Sequence, residues 1–522
     1  MVGVIGALLS FVAAKGHLPG LGNDATSYVA IADHFARSGR LGYFLEPKLA
    51  LWPPGWPVTL GAFRWAFDLS PATTALWINA FCLIPIAFEV NWLLRRCVQS
   101  EWLIRVGILI AVLGPATLSQ SYMVQTETTF VALVLAGFIA LIKFSDTRRM
   151  SWFVTAALVQ WVAFLDRYVG LVSIGACALW LCFERGAASG GRLRRAIGFF
   201  VLAASVPGLW ILRNWIVTDS MFGPRDTPIA TIRRNLIDAA TSAGQYLHGY
   251  SQYEPMTGIG RLLSLALAAL VGVLAVVLTR RAMARRDARP DAWSRPPTGL
   301  GDLLGHPVGL LVIFGVAHWL YMIYSASTIA FDPVNTRYLV PMFIPMLIAG
   351  LALVDHGAMA QVNIAGVGGD RITKLCSIGI VVLLVCQLGV GLVRVSASYW
   401  TDKAQGYNSP KALAVRNSPV LAKVPDDCTL YANFPELMYL AGFEAARSPR
   451  ITKFASSDRL AELEHLEQAT RAGHASCLIW VDDGKFSTPS YQYQLDDLKR
   501  ALELETVARD GNVAVYRVTG VR

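Results

Sequence analysis

Long apolar runs, separated by short polar, basic or proline-bearing stretches, fill the first 395 residues. Eleven of them approach the roughly 20 residues a helix needs to cross a hydrocarbon core. They cover residues 1–16, 72–93, 103–121, 128–144, 151–166, 168–184, 196–216, 260–279, 306–325, 336–355 and 373–394. The first, "MVGVIGALLSFVAA", is short and is not followed by a clean small-residue cleavage site, so it reads as a retained signal-anchor. The stretch 53–68 is apolar but short and opens on prolines, which predicts an interfacial helix rather than a span. Counting it as a span would invert every later loop.

The pattern changes after residue 395. "CTLYA" and "CLIWVDD" read as buried strands and "SDRLAELEHLEQATRAG" as an amphipathic helix. "ELETVARDGNVAVYRV" reads as a hairpin turned at Asp510-Gly511. The fold class expected is an α-helical polytopic membrane protein of about 11 transmembrane helices with a small C-terminal α/β extracytoplasmic domain. The expected boundary lies between 1–395 and 396–522, with a long first outer loop at 17–71.

Composition agrees. The chain is 54% hydrophobic and only 16% charged, against about 25% charged in a soluble domain. A β-barrel would show short alternating segments instead. The net charge of +10 does not call for nucleic acid, because the basic residues cluster in short loops between spans. Loops at 94–105, 143–149, 184–195, 280–295 and 356–374 hold 18 Lys and Arg in 66 residues, whereas those on the opposite side hold 12 in 129. The positive-inside rule then puts the N-terminus inside the cell inner (cytoplasmic) membrane and the C-terminal tail outside. Six cysteines lie in or beside spans and read as packing residues. Cys428 and Cys477 lie at predicted strands of the tail, where two readings stand: a disulfide in an oxidising compartment, or two buried thiols.

That topology gathers Asp24, Glu127, Asp166, Arg167, Arg213, Arg225, Asp332 and Arg337 on the outer side. Asp24, in "GNDATSYVAIADHF" with Tyr28 four residues on, reads either as a helix N-cap or as an isolated carboxylate whose raised pKa suits a general base. Glu127 is either a first-turn residue favoured by the helix dipole or a functional carboxylate at the membrane boundary. Asp166 and Arg167 are adjacent and pair with each other in the plain reading. Arg167, Arg213, Arg225 and Arg337, the last followed by Tyr338, either snorkel to lipid head groups or converge on an anionic ligand. Lys48 and His34 are weaker candidates, more often surface than site. No Walker, GxGxxG, HExxH, CxxC or GxSxG constellation appears in a suitable context, so the sequence offers no site for ATP, NAD or zinc.

Read in order, the Asp-x-x-x-Tyr of the first outer loop, "WPPGWP", "TETTF", "RYVGL", "LRNWIVTDSMFGPR" and "TRYLVPMFIPML" resemble the GT-C superfamily of integral-membrane glycosyltransferases. The likeness is closest to the bacterial protein-mannosyltransferase and aminoarabinose-transferase type and covers roughly residues 15–355. The resemblance implies a polyprenyl-phosphate sugar donor and a lipid, glycan or protein acceptor at the cell envelope. It implies Asp24 as the base and Glu127 as the second acidic residue, orienting substrate or holding a divalent metal where one is used. Arg213 and Arg337 would take the lipid phosphate. Tyr28, Lys48, Arg167, Arg225 and Tyr338 complete the candidate binding set. Apart from Asp33, the first loop has no second carboxylate near Asp24, which favours a metal-independent mechanism and no fixed cofactor. The alternative is a polytopic transporter or lipid flippase, but no internal repeat is visible and the charges lie on one side rather than at the midplane.

Overall fold

The computed structural model describes residues 1–16, 18–42, 49–184, 189–223, 225, 228, 230–248, 258–284, 303–329, 331–332, 334–357, 371–400, 406–452, 459–482 and 488–522. Every one of the eleven apolar segments is helical. They are α1 (Val2–Ala13), α4 (Pro71–Cys97), α5 and α6 (Glu101–Leu113 and Pro115–Ser121), α7 (Glu127–Thr147), α8 (Met150–Asp166) and α9 (Gly170–Phe183). They continue as α10 (Ser189–Thr218), α12 (Gly258–Ala284), α13 (Pro307–Thr328), α14 (Thr336–Gly357) and α15 (Arg371–Trp400). Among the described residues, eight of these stretches are long and apolar enough to span a membrane, while α1, α8 and α9 are shorter apolar helices. Between α5 and α6, Gly114 is held extended before Pro115, as the residue preceding a proline prefers.

Large side chains such as Phe130, Phe138, Trp180 and Phe314 are fully buried between the helices. Phe138 meets Phe314 edge-on at 5.3 Å between ring centroids. The outward faces are also apolar: Ile259, Leu262 and Val273 on α12 and Ile378, Val382 and Val385 on α15 are exposed. A helix that is apolar all round suits a lipid environment. At one end of the bundle, basic residues of the connecting loops pair locally. Arg148 and Arg195 both reach the buried Glu184, and Arg95 reaches Glu101.

The opposite end carries the irregular structure. Helix α2 (Asn23–Ser38) packs on α3 (Gly55–Phe67), whose Trp65 and Phe67 point outward as an interfacial helix requires. A further helix, α11 (Ile232–His248), occupies a stretch that the sequence reading treats as loop. It is too polar to register as a span, and it buries Asn235, Asp238, Thr241, Ser242 and Gln245 against its neighbours. Asp238 is matched there by Arg234 at 2.8 Å and Arg261 at 2.7 Å.

The tail forms a five-stranded sheet in the order β2-β1-β3-β5-β4. Its strands are β1 (Thr429–Ala432), β2 (Ala446–Arg447), β3 (Ser476–Val481), β4 (Leu502–Asp510) and β5 (Val513–Val521). Strand β1 runs parallel to β2 and β3, while β5 is antiparallel to both β3 and β4. The predicted hairpin is β4–β5, with Gly511 of the Asp510-Gly511 turn in the left-handed region. The predicted amphipathic helix is observed as α18 (Glu462–Arg471); residues 457–458 of the predicted segment lie outside the described residues. Short helices α16 (Pro410–Arg416), α17 (Pro435–Leu440) and α19 (Leu495–Ala501) complete this part. Cys428 and Cys477 are disulfide-bonded, so the disulfide reading holds and the buried-thiol reading does not.

The tail is fastened to α2 and its approach. Tyr407 Oη donates to Asn23 Oδ1 at 2.7 Å, Asn408 Nδ2 to the Pro19 carbonyl at 2.6 Å, and Tyr439 Oη to Asp33 Oδ2 at 3.1 Å. Asp33 also receives Arg64 at 3.1 Å, so it ties α2 to α3 and to the tail rather than lying with Asp24. Backbone bridges extend the fastening. Leu21 bridges Gly406, and Gly20 bridges Met123, all in parallel. An added Cβ at Gly406 would fall 1.6 Å from the Leu21 carbonyl oxygen, so only glycine fits there.

Candidate functional site

Asp24 is not the cap of α2. The helix is entered from Gly22, no side chain caps it, and Asp24 stands in its first turn. Nor is the carboxylate isolated: Arg337 Nη2, from the first turn of α14, lies 3.0 Å from its Oδ2. Asp24 keeps an open side, with 38% of its side chain exposed. The sequence expectation of a lone carboxylate near apolar surface is therefore corrected to that of a guanidinium-bound one.

Glu127 begins α7 and is completely buried. Its Oε1 receives both Arg337 Nε at 2.9 Å and Arg167 Nη1 at 2.8 Å. A buried carboxylate is tolerable only with such partners. Arg167 also donates to Thr126 Oγ1 at 2.7 Å. The expected neutralisation of Arg167 by its neighbour Asp166 is not what the chain does. Arg167 turns to Glu127, and Asp166 accepts from Thr129 Oγ1 at 3.1 Å. The two adjacent side chains leave the end of α8 in different directions because Arg167 is already extended backbone.

Tyr28 lies four residues beyond Asp24, one turn along the same face of α2. Burial, then the negative charge of Asp24, raises its phenol above the ordinary tyrosine range, so it presents a protonated hydroxyl near the charge cluster. Tyr338 follows Arg337, donates to Asp332 Oδ2 at 3.0 Å, and has its ring 5.5 Å from the Arg337 guanidinium. The carbonyl of Tyr338 is held by the buried His318 at 2.8 Å.

A second group of donors lies on one strap of chain that sequence reasoning missed. Three successive carbonyls, those of Leu49, Ala50 and Leu51, each accept from a different side chain. Arg213 takes the first, Tyr168 Oη the second at 2.7 Å and Arg225 the third at 3.1 Å. Tyr168 Oη in turn receives Trp210 Nε1 at 3.1 Å and Asn214 Nδ2 at 3.0 Å. Gly223 presses on the strap: with φ at +82°, an added Cβ would lie 2.8 Å from Leu51 Cα. Main-chain acceptors carry no residue signature, which is why the strap and the roles of Tyr168 and Asn214 were not legible.

The candidate arginines thus fall into two kinds. Arg167 and Arg337 are matched by carboxylates. The oxygens found for Arg213 and Arg225 belong to neutral groups, carbonyls and the Asn214 amide. Arg213 also lies over Trp210, 4.9 Å from its ring. Lys48 lies outside the described residues, and His34 is half-buried in α2, away from the charge cluster. Among the described residues, no group of three His, Cys, Asp or Glu side chains is arranged to hold a metal ion.

No protein-family model matches the chain, and no curated protein matches it by sequence. Solved structures share its architecture. ArnT from Cupriavidus metallidurans in the apo state aligns with a TM-score of 0.57 at 14% identity, over 99% of this chain and 97% of that one. The same protein bound to undecaprenyl phosphate aligns equally well, over 98% and 96%. The oligosaccharyltransferase AglB from Archaeoglobus fulgidus, solved with an inhibitory peptide and a dolichol-phosphate, aligns at 0.51 and 13% identity over 99% and 73%. From end to end, bundle and tail together, the chain has the fold of the GT-C superfamily of integral-membrane glycosyltransferases.

Proposed function

We propose that the protein is a membrane glycosyltransferase that moves a sugar from a polyprenyl-phosphate donor to an acceptor hydroxyl at the outer face of the cytoplasmic membrane. The observation that carries this reading is the convergence of Asp24, Glu127, Arg167 and Arg337, from four distant parts of the chain, together with two arginines, Arg213 and Arg225, whose hydrogen bonds among the described residues go to neutral oxygens. Two structures of similar fold were solved with a polyprenyl or dolichyl phosphate, which supports a donor of that class.

In the reaction, the acceptor oxygen forms a bond to the anomeric carbon as the bond from that carbon to the phosphate oxygen breaks. Asp24 takes the hydroxyl proton on Oδ1, while Arg337 holds Oδ2 and fixes the direction of the carboxylate. Polyprenyl phosphate leaves with an added negative charge. Arg213 and Arg225 stabilise it, since a guanidinium on a neutral carbonyl gives up that bond for phosphate at little cost. Glu127 acts at one remove by locking Arg167 and Arg337 in place. Tyr28 and Tyr338 line the same region as hydroxyl and aromatic contacts. A divalent cation does not fit this donor set, because Asp24 and Glu127 already share one guanidinium and a second one presses on Glu127.

The test is transfer from radiolabelled polyprenyl-phosphate sugars to an envelope extract, in liposomes, by wild type and Asp24→Asn at equal folded yield. Transfer by wild type alone supports the reading. Equal turnover removes Asp24 from the mechanism, and absence of turnover with every donor favours a transporter or flippase.

A further inference from the structure

Away from the carboxylates, a cleft of about 640 Å³ opens between the tail and the strap. Its walls include Leu51 of the strap, Tyr431 of β1, Arg447 of β2, Arg450, and Glu462 and His465 of α18. That volume falls in the range of small-ligand sites, roughly 300–1,000 Å³.

The charges in the wall are already matched. Arg450 grips Glu462 through Nη2 at 2.6 Å, Nε at 2.9 Å and its backbone N–H at 2.9 Å, and Arg447 is paired with Glu436. Such a wall offers no net positive field to attract an anion. It offers guanidinium donors and a carboxylate acceptor side by side, with the half-buried Tyr431 in the same lining. A row of sugar hydroxyls answers this pattern, because each hydroxyl both donates and accepts and the C–H face of the ring packs on an aromatic.

The cleft also shares a wall with the reacting end. Leu51 lines it, and the Leu51 carbonyl is the one held by Arg225. We propose that this cleft binds the non-reacting sugar units of a neutral glycan acceptor, so that the tail selects the acceptor and the strap separates it from the phosphate site. The proposal rests on the glycosyltransferase reading.

The experiment is saturation-transfer NMR on the full chain in nanodiscs, with linear hexaoses of glucose, mannose, galactose and N-acetylglucosamine as probes. Wild type and Asp24→Asn should both bind at least one hexaose. Tyr431→Ala and His465→Trp, the second filling the cleft from an exposed position, should weaken that binding about tenfold or more. Absence of binding by all four probes, or binding that survives both substitutions, overturns the proposal. Cleft-dependent binding without transfer from any polyprenyl-phosphate donor would keep the cleft and remove the transferase reading.

Discussion

Arg337 and Asp24 are separated by 313 residues of sequence and by 3.0 Å in space. The same guanidinium reaches Glu127 through a different nitrogen. One planar group therefore joins the proposed base to a fully buried anion. In the proposed reaction a proton gained by Asp24 weakens its hold on Arg337, so the base and the buried Glu127 are coupled through a single side chain.

Replacing this fork tests the coupling. Lysine has one charged nitrogen and cannot serve two carboxylates in a fixed plane. Arg337→Lys should lower kcat about 100-fold, in the range seen when one oriented donor is removed from an active site. Arg337→Ala should in addition destabilise the fold by about 3 kcal/mol, since it strips a buried carboxylate of one of two partners. Thermal unfolding in detergent reads the second effect and single-turnover transfer the first.

The arginines bound to neutral oxygens should behave differently. Arg213→Ala and Arg225→Ala are expected to raise the KM for donor about tenfold each, with small losses of stability, and to flatten the dependence of donor binding on salt. Titration with polyprenyl phosphate as a competitor separates these variants from Arg337→Lys. A loss of stability as large as that of Arg337→Ala would assign them to the scaffold instead.

Gly223→Ala changes no charged or polar side chain, yet it should displace the strap. The left-handed φ disfavours alanine, and the added methyl meets the Leu51 main chain. We expect transfer to fall roughly ten- to hundredfold, with the same rise in donor KM as Arg225→Ala. A variant kinetically equal to wild type would show that the strap has no part in donor binding.

Asp33 gives a pH dependence of known sign. Burial raises its carboxyl above the ordinary aspartate value, against the opposing pull of the Arg64 guanidinium and the Tyr439 hydroxyl. The folded state then binds this proton more tightly than the unfolded chain. Its contribution is most favourable below the unfolded pKa of about 4, declines as pH rises through the raised folded value, and is flat above it. Thermal midpoints measured from pH 3.5 upward should show that decline in wild type and lack it in Asp33→Asn.

The disulfide closes a loop spanning a sequence separation of 49. Chain-entropy arguments assign about 4 kcal/mol to a loop of that length. Cys428→Ser should therefore loosen the tail while leaving the helices in place. Thiol titration in denaturant should find six free thiols before reduction and eight after it, since the chain has eight cysteines.

The sequence made the helices legible because length and hydropathy alone define them, and charge density separated their two ends. It also marked Asp24, Glu127, Arg167 and Arg337 as candidates. Their pairing was not legible. Asp166 is the neighbour of Arg167, and nothing in the order of residues says that Glu127, across a helical hairpin, wins. Asp24 satisfies every local rule for a cap, and only the approach of α14 shows why it is not used as one. Helix α11 was missed because its polar face is buried against protein rather than turned to water. The strap was missed because its carbonyls are present at every residue.

The bridges at Gly20, Leu21, Met123 and Gly406 have a mechanical meaning. The chain entering the Asp24 helix lies between the turn that precedes the Glu127 helix and the first described residues of the tail. Load applied to the tail is therefore delivered to the roots of both carboxylate helices. Cutting the chain before Gly406 would not remove an appendage; it would remove one outer rail of the mount on which the two acids are set.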